Sequence, residues 1–255
     1  MAVRLYRFTQ VLIMAALGLL LTYKLWTGNI YFYINERFQP LIVFGAAAAL
    51  LLAAGAAWRW RRGEAAGDHA HDHDHDHDHD HGPARFPVWT VALVALPIGL
   101  GLLVPARPLG ASAIDSKGLN APPPLTVSGG GPATTLEIAP EQRTILDWVR
   151  AFNYAEDTSV FTDQPADVIG FVYRRAGLTP TQFLVTRFTV TCCAADASGV
   201  ALLVDWPDAG QLSENVWVRV RGPVQAVEFD GRPLPLIAAA SVEIVDQPEH
   251  PYMYP

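Results

Sequence analysis

Charged side chains are scarce in this chain, because only 17% of its 255 residues are Asp, Glu, Lys or Arg. Soluble domains average about 25%. The deficit is concentrated in three runs that lack charged residues and histidine, at 8–23, 38–58 and 86–106. A helix needs about 20 apolar residues to cross a bilayer. The scarcity of charge therefore excludes a purely cytosolic enzyme and predicts three transmembrane helices.

Cysteine and catalytic motifs are also scarce. Two cysteines, Cys192 and Cys193, cannot build a disulfide framework, and one chain cannot supply a four-thiolate zinc site. Outside one tract His250 is the only histidine, and the sequence has no Ser/His/Asp arrangement, phosphate-binding loop or dinucleotide fingerprint. We therefore predict that the protein is not an enzyme.

Residues 121–255 carry 8 basic and 16 acidic residues. This excess of acidic residues argues against nucleic acid as a partner, because an acidic domain repels phosphate.

Composition divides the chain into three parts. Residues 1–106 are the predicted three-helix membrane domain, residues 107–135 a linker rich in proline and glycine, and residues 136–255 a β-rich soluble domain. In the last part, apolar periodicity predicts a helix over 144–153, followed by about five short strands. The strands are predicted at 167–174, 182–191, 200–206, 216–224 and 235–245. Short strands separated by glycine and proline turns favour a small Greek-key barrel, for which an OB-like barrel is one candidate.

The distribution of basic residues predicts the orientation in the membrane. Three crossings place the N-terminus and the 59–85 loop on one side, and the 24–39 loop with the C-terminal domain on the other. Near the membrane the first side carries Arg4, Arg7, Arg59, Arg61, Arg62 and Arg85, and the second carries Lys24, Arg37, Arg107 and Lys117. Basic residues favour the cytoplasmic side. We therefore expect a multi-pass protein of the plasma membrane whose C-terminal domain is extracytoplasmic.

Histidine and aspartate alternate almost strictly over residues 68–81. Imidazole nitrogen and carboxylate oxygen both bind zinc, and imidazole also binds other divalent transition metals. The tract therefore predicts a flexible binding segment for a divalent metal, with zinc favoured, in a cytoplasmic loop. The alternative is a solvated low-complexity linker with no metal function. The predicted ligands are His69, His71, His73, His75, His77, His79, His81, Asp72, Asp74, Asp76, Asp78 and Asp80.

A second candidate site is the adjacent pair Cys192 and Cys193, followed by Asp196. Successive residues of a strand point to opposite faces, so a strand running through the pair would direct one thiol to the core and the other to solvent. Three interpretations are open. The cysteines are small core residues, they are metal ligands together with Asp196, or they are a redox-active pair.

Small residues recur every four positions in the second uncharged run, at Gly45, Ala49, Ala53 and Ala57. Such a ridge lets helices approach closely within a bilayer. Packing on another subunit is slightly favoured over packing within the chain's own bundle, where Ala95 and Gly99 of the third run could meet the ridge.

Polar pathways through a membrane are lined by polar or charged groups, and no uncharged run of this chain has an ionisable residue in its interior. The helices therefore predict an accessory subunit, because they cannot form a pore alone.

Four segments of the chain resemble the YcgQ-like family of bacterial membrane proteins, which are described as candidate permease subunits. They are TGNIYFYINERF at 27–38, the histidine-rich loop, TCCAAD at 191–196 and WVRVRG at 217–222. The resemblance implies a larger multi-helix permease as partner and a link to zinc or another divalent metal. We therefore expect an accessory subunit of a two-component membrane permease for a divalent metal. The alternatives are a stand-alone membrane-anchored metal store and a membrane-tethered thiol redox protein.

Overall fold

The computed structural model of the chain describes residues 2–62, 88–119, 138–229 and 232–254. The chain divides into two units. One consists of Met1–Ile30 with Glu36–Ala106, and the other consists of Tyr31–Asn35 with Arg107–Pro255. The short segment between the first two helices therefore belongs to the C-terminal unit, which the sequence alone did not predict.

The N-terminal unit is helical, with α1 at Ala2–Trp26, α2 at Gln39–Arg61 and α3 at Val88–Leu103. In the part of the chain that the structure describes, two segments are long and apolar enough to cross a membrane, Phe8–Trp26 and Glu36–Arg61. Helix α3 has only 16 residues. The helical prediction is confirmed, whereas the count of three membrane crossings stays a prediction, because residues 63–87 before α3 lie outside the described part.

The small-residue face of α2 packs against α1 of the same chain. Ala46, Ala49 and Ala53 are buried. A Cβ added to Gly18 of α1 would lie 2.7 Å from Cγ of Leu50, so the absence of a side chain at Gly18 allows this close approach. Ala49 and Ala53 of the predicted ridge are therefore covered within the chain, whereas Gly45 is exposed, so packing of the ridge on another subunit stays a prediction.

Helix α3 contacts α1. A Cβ added to Gly101 would lie 3.1 Å from the Leu20 side chain, whereas one added to Gly99 would meet no atom within 4 Å. The predicted contact of Gly99 with the ridge on α2 is therefore wrong.

The C-terminal unit contains the two shorter helices, α4 at Ala111–Lys117 and α5 at Ile145–Tyr154. Helix α5 begins where predicted, because Thr144 and Asp147 form a capping box: the Asp147 amide donates to Thr144 Oγ1 and the Thr144 amide donates to the Asp147 carboxylate. Short 3₁₀ turns connect the remaining elements, at Asn29–Phe32, Glu36–Phe38, Pro140–Gln142, Thr158–Phe161, Ala194–Asp196 and Ala209–Gln211.

Part of the predicted linker at 107–135 is folded. Helix α4 buries Ala111 and Ile114 beside the sheet, and Leu119 forms a parallel bridge with Gly199 of a strand. Residues 120–137 lie outside the described part, so the rest of the linker prediction is not addressed.

The predicted β-rich domain is confirmed. Its strands are β1 Pro165–Tyr173, β2 Gln182–Thr189, β3 Ser198–Asp205, β4 Trp217–Phe229, β5 Arg232–Ala238, β6 Ser241–Ile244 and β7 Tyr252–Met253. They pair in the order β1-β2-β3-β5-β4-β6, β4 also pairs with β1, and β7 pairs with β2. The pairings of β1, β2, β3, β5 and β4 therefore form a closed ring, in which β3 and β5 are parallel and the other pairs antiparallel.

The strand predicted at 235–245 is two strands, because the backbone changes partner between β5 and β6. The amide of Ala239 donates to Asp205 at the end of β3, and the amide of Ala240 donates to Arg221 of β4. At this crossing a Cβ on Gly222 would overlap the Ala238 carbonyl oxygen. Only glycine allows β4 to pass so close to the end of β5.

Two apolar clusters fill the C-terminal unit. One joins α5 to the sheet through residues such as Trp148, Phe183 and Leu202, all of which are fully buried. The other joins α4 to residues such as Phe188 and Tyr252. The loop between β2 and β3 carries both cysteines. It directly follows β2, whose residue Phe188 belongs to this second cluster.

Candidate functional site

Cys192 and Cys193 lie in the loop after β2, which ends at Thr189. Both are free thiols, Cys192 exposed and Cys193 partly exposed. The expectation that one of them faces the core is wrong, and so is their interpretation as core residues. If β2 continued through the cysteines, their backbone amides would donate to a neighbouring strand. Instead these amides donate to the carboxylate of Asp196, so the strand does not continue and the thiols do not alternate between two faces.

The carboxylate of Asp196 accepts three consecutive backbone amides. Its Oδ1 atom accepts from Thr191 at 2.8 Å, and its Oδ2 atom accepts from Cys192 at 2.7 Å and from Cys193 at 3.1 Å. The amide of Asp196 in turn donates to the Cys193 carbonyl at 3.0 Å. One side chain thus closes the loop and fixes the backbone on which both thiols are carried.

This closed loop brings the two thiols to the same side. The Sγ atoms of Cys192 and Cys193 are 3.6 Å apart. One possible ligand atom from each of Cys192, Cys193 and Asp196 lies within 4.8 Å of the others, and among the described residues this is the group of three or more such side chains that could hold a metal ion. Thiolate sulfur and carboxylate oxygen are both zinc ligands.

The charges in the loop favour a neutral thiol beside an ionised carboxylate. Hydrogen bonds to Asp196 and to Cys193 raise the pKa of Cys192 to about 11. Burial alone would raise the pKa of Asp196, but the hydrogen bonds that it accepts from Cys192 and from the loop amides lower it overall. Disulfide exchange needs a thiolate as the attacking group. Cys192 with so high a pKa is a poor attacking group, and the redox interpretation of the pair stays open.

The segment Tyr31–Asn35 adds its backbone to the same loop. Ile34 forms an antiparallel bridge with Cys193. The amide of Asn35 donates to the Cys192 carbonyl at 3.0 Å, and the amide of Ala194 donates to the Tyr33 carbonyl at 2.8 Å. The cysteine loop is therefore held by Asp196 on three of its amides and by this segment on the Cys192 carbonyl and the Ala194 amide.

The side chain of Asn35 strengthens that attachment. It is 2% exposed, and its amide nitrogen donates to the carbonyls of Thr191 at 2.9 Å and Val190 at 3.4 Å. Tyr252 provides a second attachment, since its hydroxyl donates to the Phe32 carbonyl at 3.1 Å and accepts from the amide of Leu109 at 2.9 Å. Sequence reasoning missed both residues.

The predicted metal ligands of the histidine tract at 68–81 lie outside the described residues. Their role in metal binding stays a prediction, and the structure does not relate them to the cysteine loop.

Two family models match the chain. The DUF1980 N-terminal domain matches residues 9–120, and the DUF1980 C-terminal domain matches residues 142–255. The chain belongs to the DUF1980 family. The two motifs that meet at the cysteine loop, at 27–38 and 191–196, thus fall in different domains of the family.

Individual relatives agree with this assignment. The UPF0703 protein YcgQ of Bacillus subtilis (strain 168) is 23% identical over 105 residues, which are 40% of this chain and 36% of that protein. A protein of Streptococcus mutans serotype c, described as a candidate subunit of a two-component membrane permease complex, is 27% identical over 197 residues, which are 64% of this chain and 72% of that protein. The resemblance to the YcgQ-like family is confirmed. No solved structure matches the chain.

Proposed function

We propose that this DUF1980 protein is the accessory subunit of a two-component membrane permease that handles a divalent metal, with zinc as the favoured cargo. The similarity to the Streptococcus mutans protein over 64% of the chain carries the subunit assignment. The histidine tract at 68–81 supports a metal as cargo, because its imidazole and carboxylate groups suit zinc. The proposed partner is a larger multi-helix subunit that supplies the conduit, and the present chain has no catalytic role.

The membership of Tyr31–Asn35 in the C-terminal unit supports three membrane crossings. Residues of one unit must lie on one side of a membrane, so the chain between residues 35 and 107 crosses it an even number of times. Helices α2 and α3 are the long helices described in that interval. Helix α3 alone spans about 24 Å at 1.5 Å per residue, and the uncharged run 86–106 has the length for a full crossing.

Two finer assignments belong to the same proposal. The excess of basic residues on the side of the N-terminus favours an extracytoplasmic C-terminal unit. The ring of strand pairings, with its parallel β3–β5 pair, supports an OB-like barrel. Such a fold by itself implies no ligand, so the cargo assignment rests on the side chains.

Purification from native membranes in a gentle detergent tests the proposal. The tagged full chain is expected to retain a larger membrane protein, identified by mass spectrometry, together with bound zinc measured by elemental analysis. A matched variant with the seven tract histidines changed to serine should keep the partner and lose the zinc that the tract binds, so its zinc content per chain should fall. Zinc without a partner would instead favour the membrane-anchored metal store. Absence of both would contradict the proposal.

A further inference from the structure

We infer that Cys192, Cys193 and Asp196 form a site for one thiophilic divalent cation, with one coordination position open, and that the docked segment Tyr31–Asn35 holds this site in shape. The inference deepens the proposed function and rests on it only in taking zinc as the natural occupant. The site is separate in sequence from the histidine tract, and it lies in the C-terminal unit.

The spacing of the two sulfurs fits a shared metal ion. Two thiolates bound to zinc at about 2.3 Å with a tetrahedral angle lie about 3.8 Å apart, and the two Sγ atoms are 3.6 Å apart. Adjacent residues of a strand would point their thiols to opposite faces. The loop closed by Asp196 instead presents both thiols together, at the separation that one ion requires.

The third ligand is the carboxylate that builds the loop. Oδ1 of Asp196 accepts one described hydrogen bond, from the Thr191 amide, and a carboxylate oxygen has two lone pairs. Oδ1 can therefore bind a cation while it keeps that hydrogen bond, whereas Oδ2 already accepts the amides of Cys192 and Cys193. Binding forms two metal–sulfur bonds and one metal–oxygen bond and releases both thiol protons to solvent. Three protein ligands leave one tetrahedral position open, as in zinc sites that exchange a ligand.

The surrounding hydrogen bonds prepare the site before any ion arrives. Asp196 holds the amides of residues 191–193, and Asn35 holds the carbonyls of Thr191 and Cys192. Ligands fixed by such supporting contacts bind a metal more tightly than ligands that the metal must order. By linkage, docking of Tyr31–Asn35 and binding of the cation must strengthen each other by the same factor.

Cobalt(II) added to the reduced full chain in detergent tests the site. Thiolate ligands give cobalt a strong near-ultraviolet charge-transfer band, and the histidine tract has no sulfur, so cobalt bound there does not contribute to this band. We expect the band to appear, to saturate at one cobalt per chain in the variant with tract histidines changed to serine, and to disappear when zinc is added. No band, or saturation at one cobalt per two chains, would overturn the inference.

Variants separate the ligands from the supporting segment. Cys192→Ser should lower the charge-transfer band to about half and weaken cobalt binding. The double change of Cys192 and Cys193 to serine should remove the band while the circular dichroism spectrum stays unchanged.

Asn35→Ala should weaken cobalt binding about tenfold, because the loss of one or two buried hydrogen bonds loosens the loop. The matched control, Asn29→Ala, removes the same side chain six positions earlier in the other unit and should leave the affinity unchanged. Equal affinity for Asn35→Ala and wild type would overturn the supporting role of the segment.

The outcome can be distinguished from a failure of the proposed function. A thiolate band in a protein that retains no permease partner would leave this site in place and contradict the subunit assignment. A protein that retains the partner but gives no thiolate band would overturn the site alone.

Discussion

The side chain of Asn35 donates a hydrogen bond to the carbonyl of Thr191 at 2.9 Å, and so joins two segments 156 residues apart in the chain. Asn35 lies between the first two helices of the N-terminal unit, and Thr191 directly precedes the cysteine pair. Both belong to segments that resemble the YcgQ-like family. The contact gives these segments one physical role, which is to build and hold the loop that carries Cys192 and Cys193.

Removal of this side chain should destabilise the C-terminal unit. Asn35→Ala leaves the buried carbonyl of Val190 and the partly buried carbonyl of Thr191 without the donor that they have now, and an unsatisfied buried polar group costs about 1–3 kcal/mol. For a unit of this size, at about 2–4 °C per kcal/mol, we expect a melting temperature lower by about 2–12 °C. Near-ultraviolet circular dichroism of the full chain in detergent measures it.

Asn29→Ala is the matched control for that prediction, and its melting temperature should stay within about 1 °C of wild type, as for an ordinary surface change. If Asn35→Ala melted at the wild-type temperature, the buried hydrogen bonds of Asn35 would have no role in holding the loop.

Local features of the sequence predicted the elements, but not the contacts between distant segments. The helix at 144–153 was predictable because its apolar periodicity and the pair Thr144 and Asp147 lie within one stretch of chain. The course of the backbone at Cys192 was not, because it depends on the Asp196 carboxylate accepting the loop amides, which no periodicity of the sequence indicates. The docking of Tyr31–Asn35 depends on complementary backbone groups far apart in sequence, which no local periodicity indicates.

A charge network on the sheet should make stability depend on pH. Asp167 accepts both Nε and Nη2 of Arg219 at 2.6 Å and Nε of Arg221 at 3.1 Å, and Arg221 also donates to Glu243 at 2.8 Å. The hydrogen bond from Arg219 is the main cause that lowers the pKa of Asp167; burial opposes it, and Arg221 adds to it. A carboxyl group whose pKa is lowered by folding stabilises the fold above its ordinary pKa of 3.8, and this contribution is lost as pH falls below that value.

The variant Asp167→Asn tests the network. Because the arginine side chains are partly exposed, we expect a loss of only about 1 kcal/mol at pH 7. The difference from wild type should begin to shrink as pH falls below about 4, where the unfolded state takes up the proton first, and should vanish only once the folded carboxylate is protonated as well. Urea unfolding at a series of pH values measures it. A difference that stayed constant down to pH 2 would show that the charge of Asp167 does not contribute.

The proposed topology predicts the behaviour of reporter fusions after Pro255. Alkaline phosphatase needs an oxidising compartment to form its disulfides, so its fusion should be active if the C-terminal unit is extracytoplasmic. A green fluorescent protein fused at the same position should then be dark. Fusions after Arg62, at the end of α2, provide the matched control and should give the opposite pattern. A fluorescent and phosphatase-inactive C-terminus would reverse the orientation.

The histidine tract predicts zinc binding that depends steeply on pH. A zinc ion needs about four ligands, so the seven histidines and six aspartates of residues 68–81 could hold two or three ions at most. The ligands must be neutral imidazoles, whose unperturbed pKa is about 6.5, so protons compete and the affinity should fall sharply below pH 6. Calorimetric titration of a peptide covering 68–81 at pH 7.5 and 5.5 measures this, with a peptide whose histidines are serine as control. Heat that is absent at pH 7.5, or an affinity equal at both pH values, would leave the tract as a solvated linker.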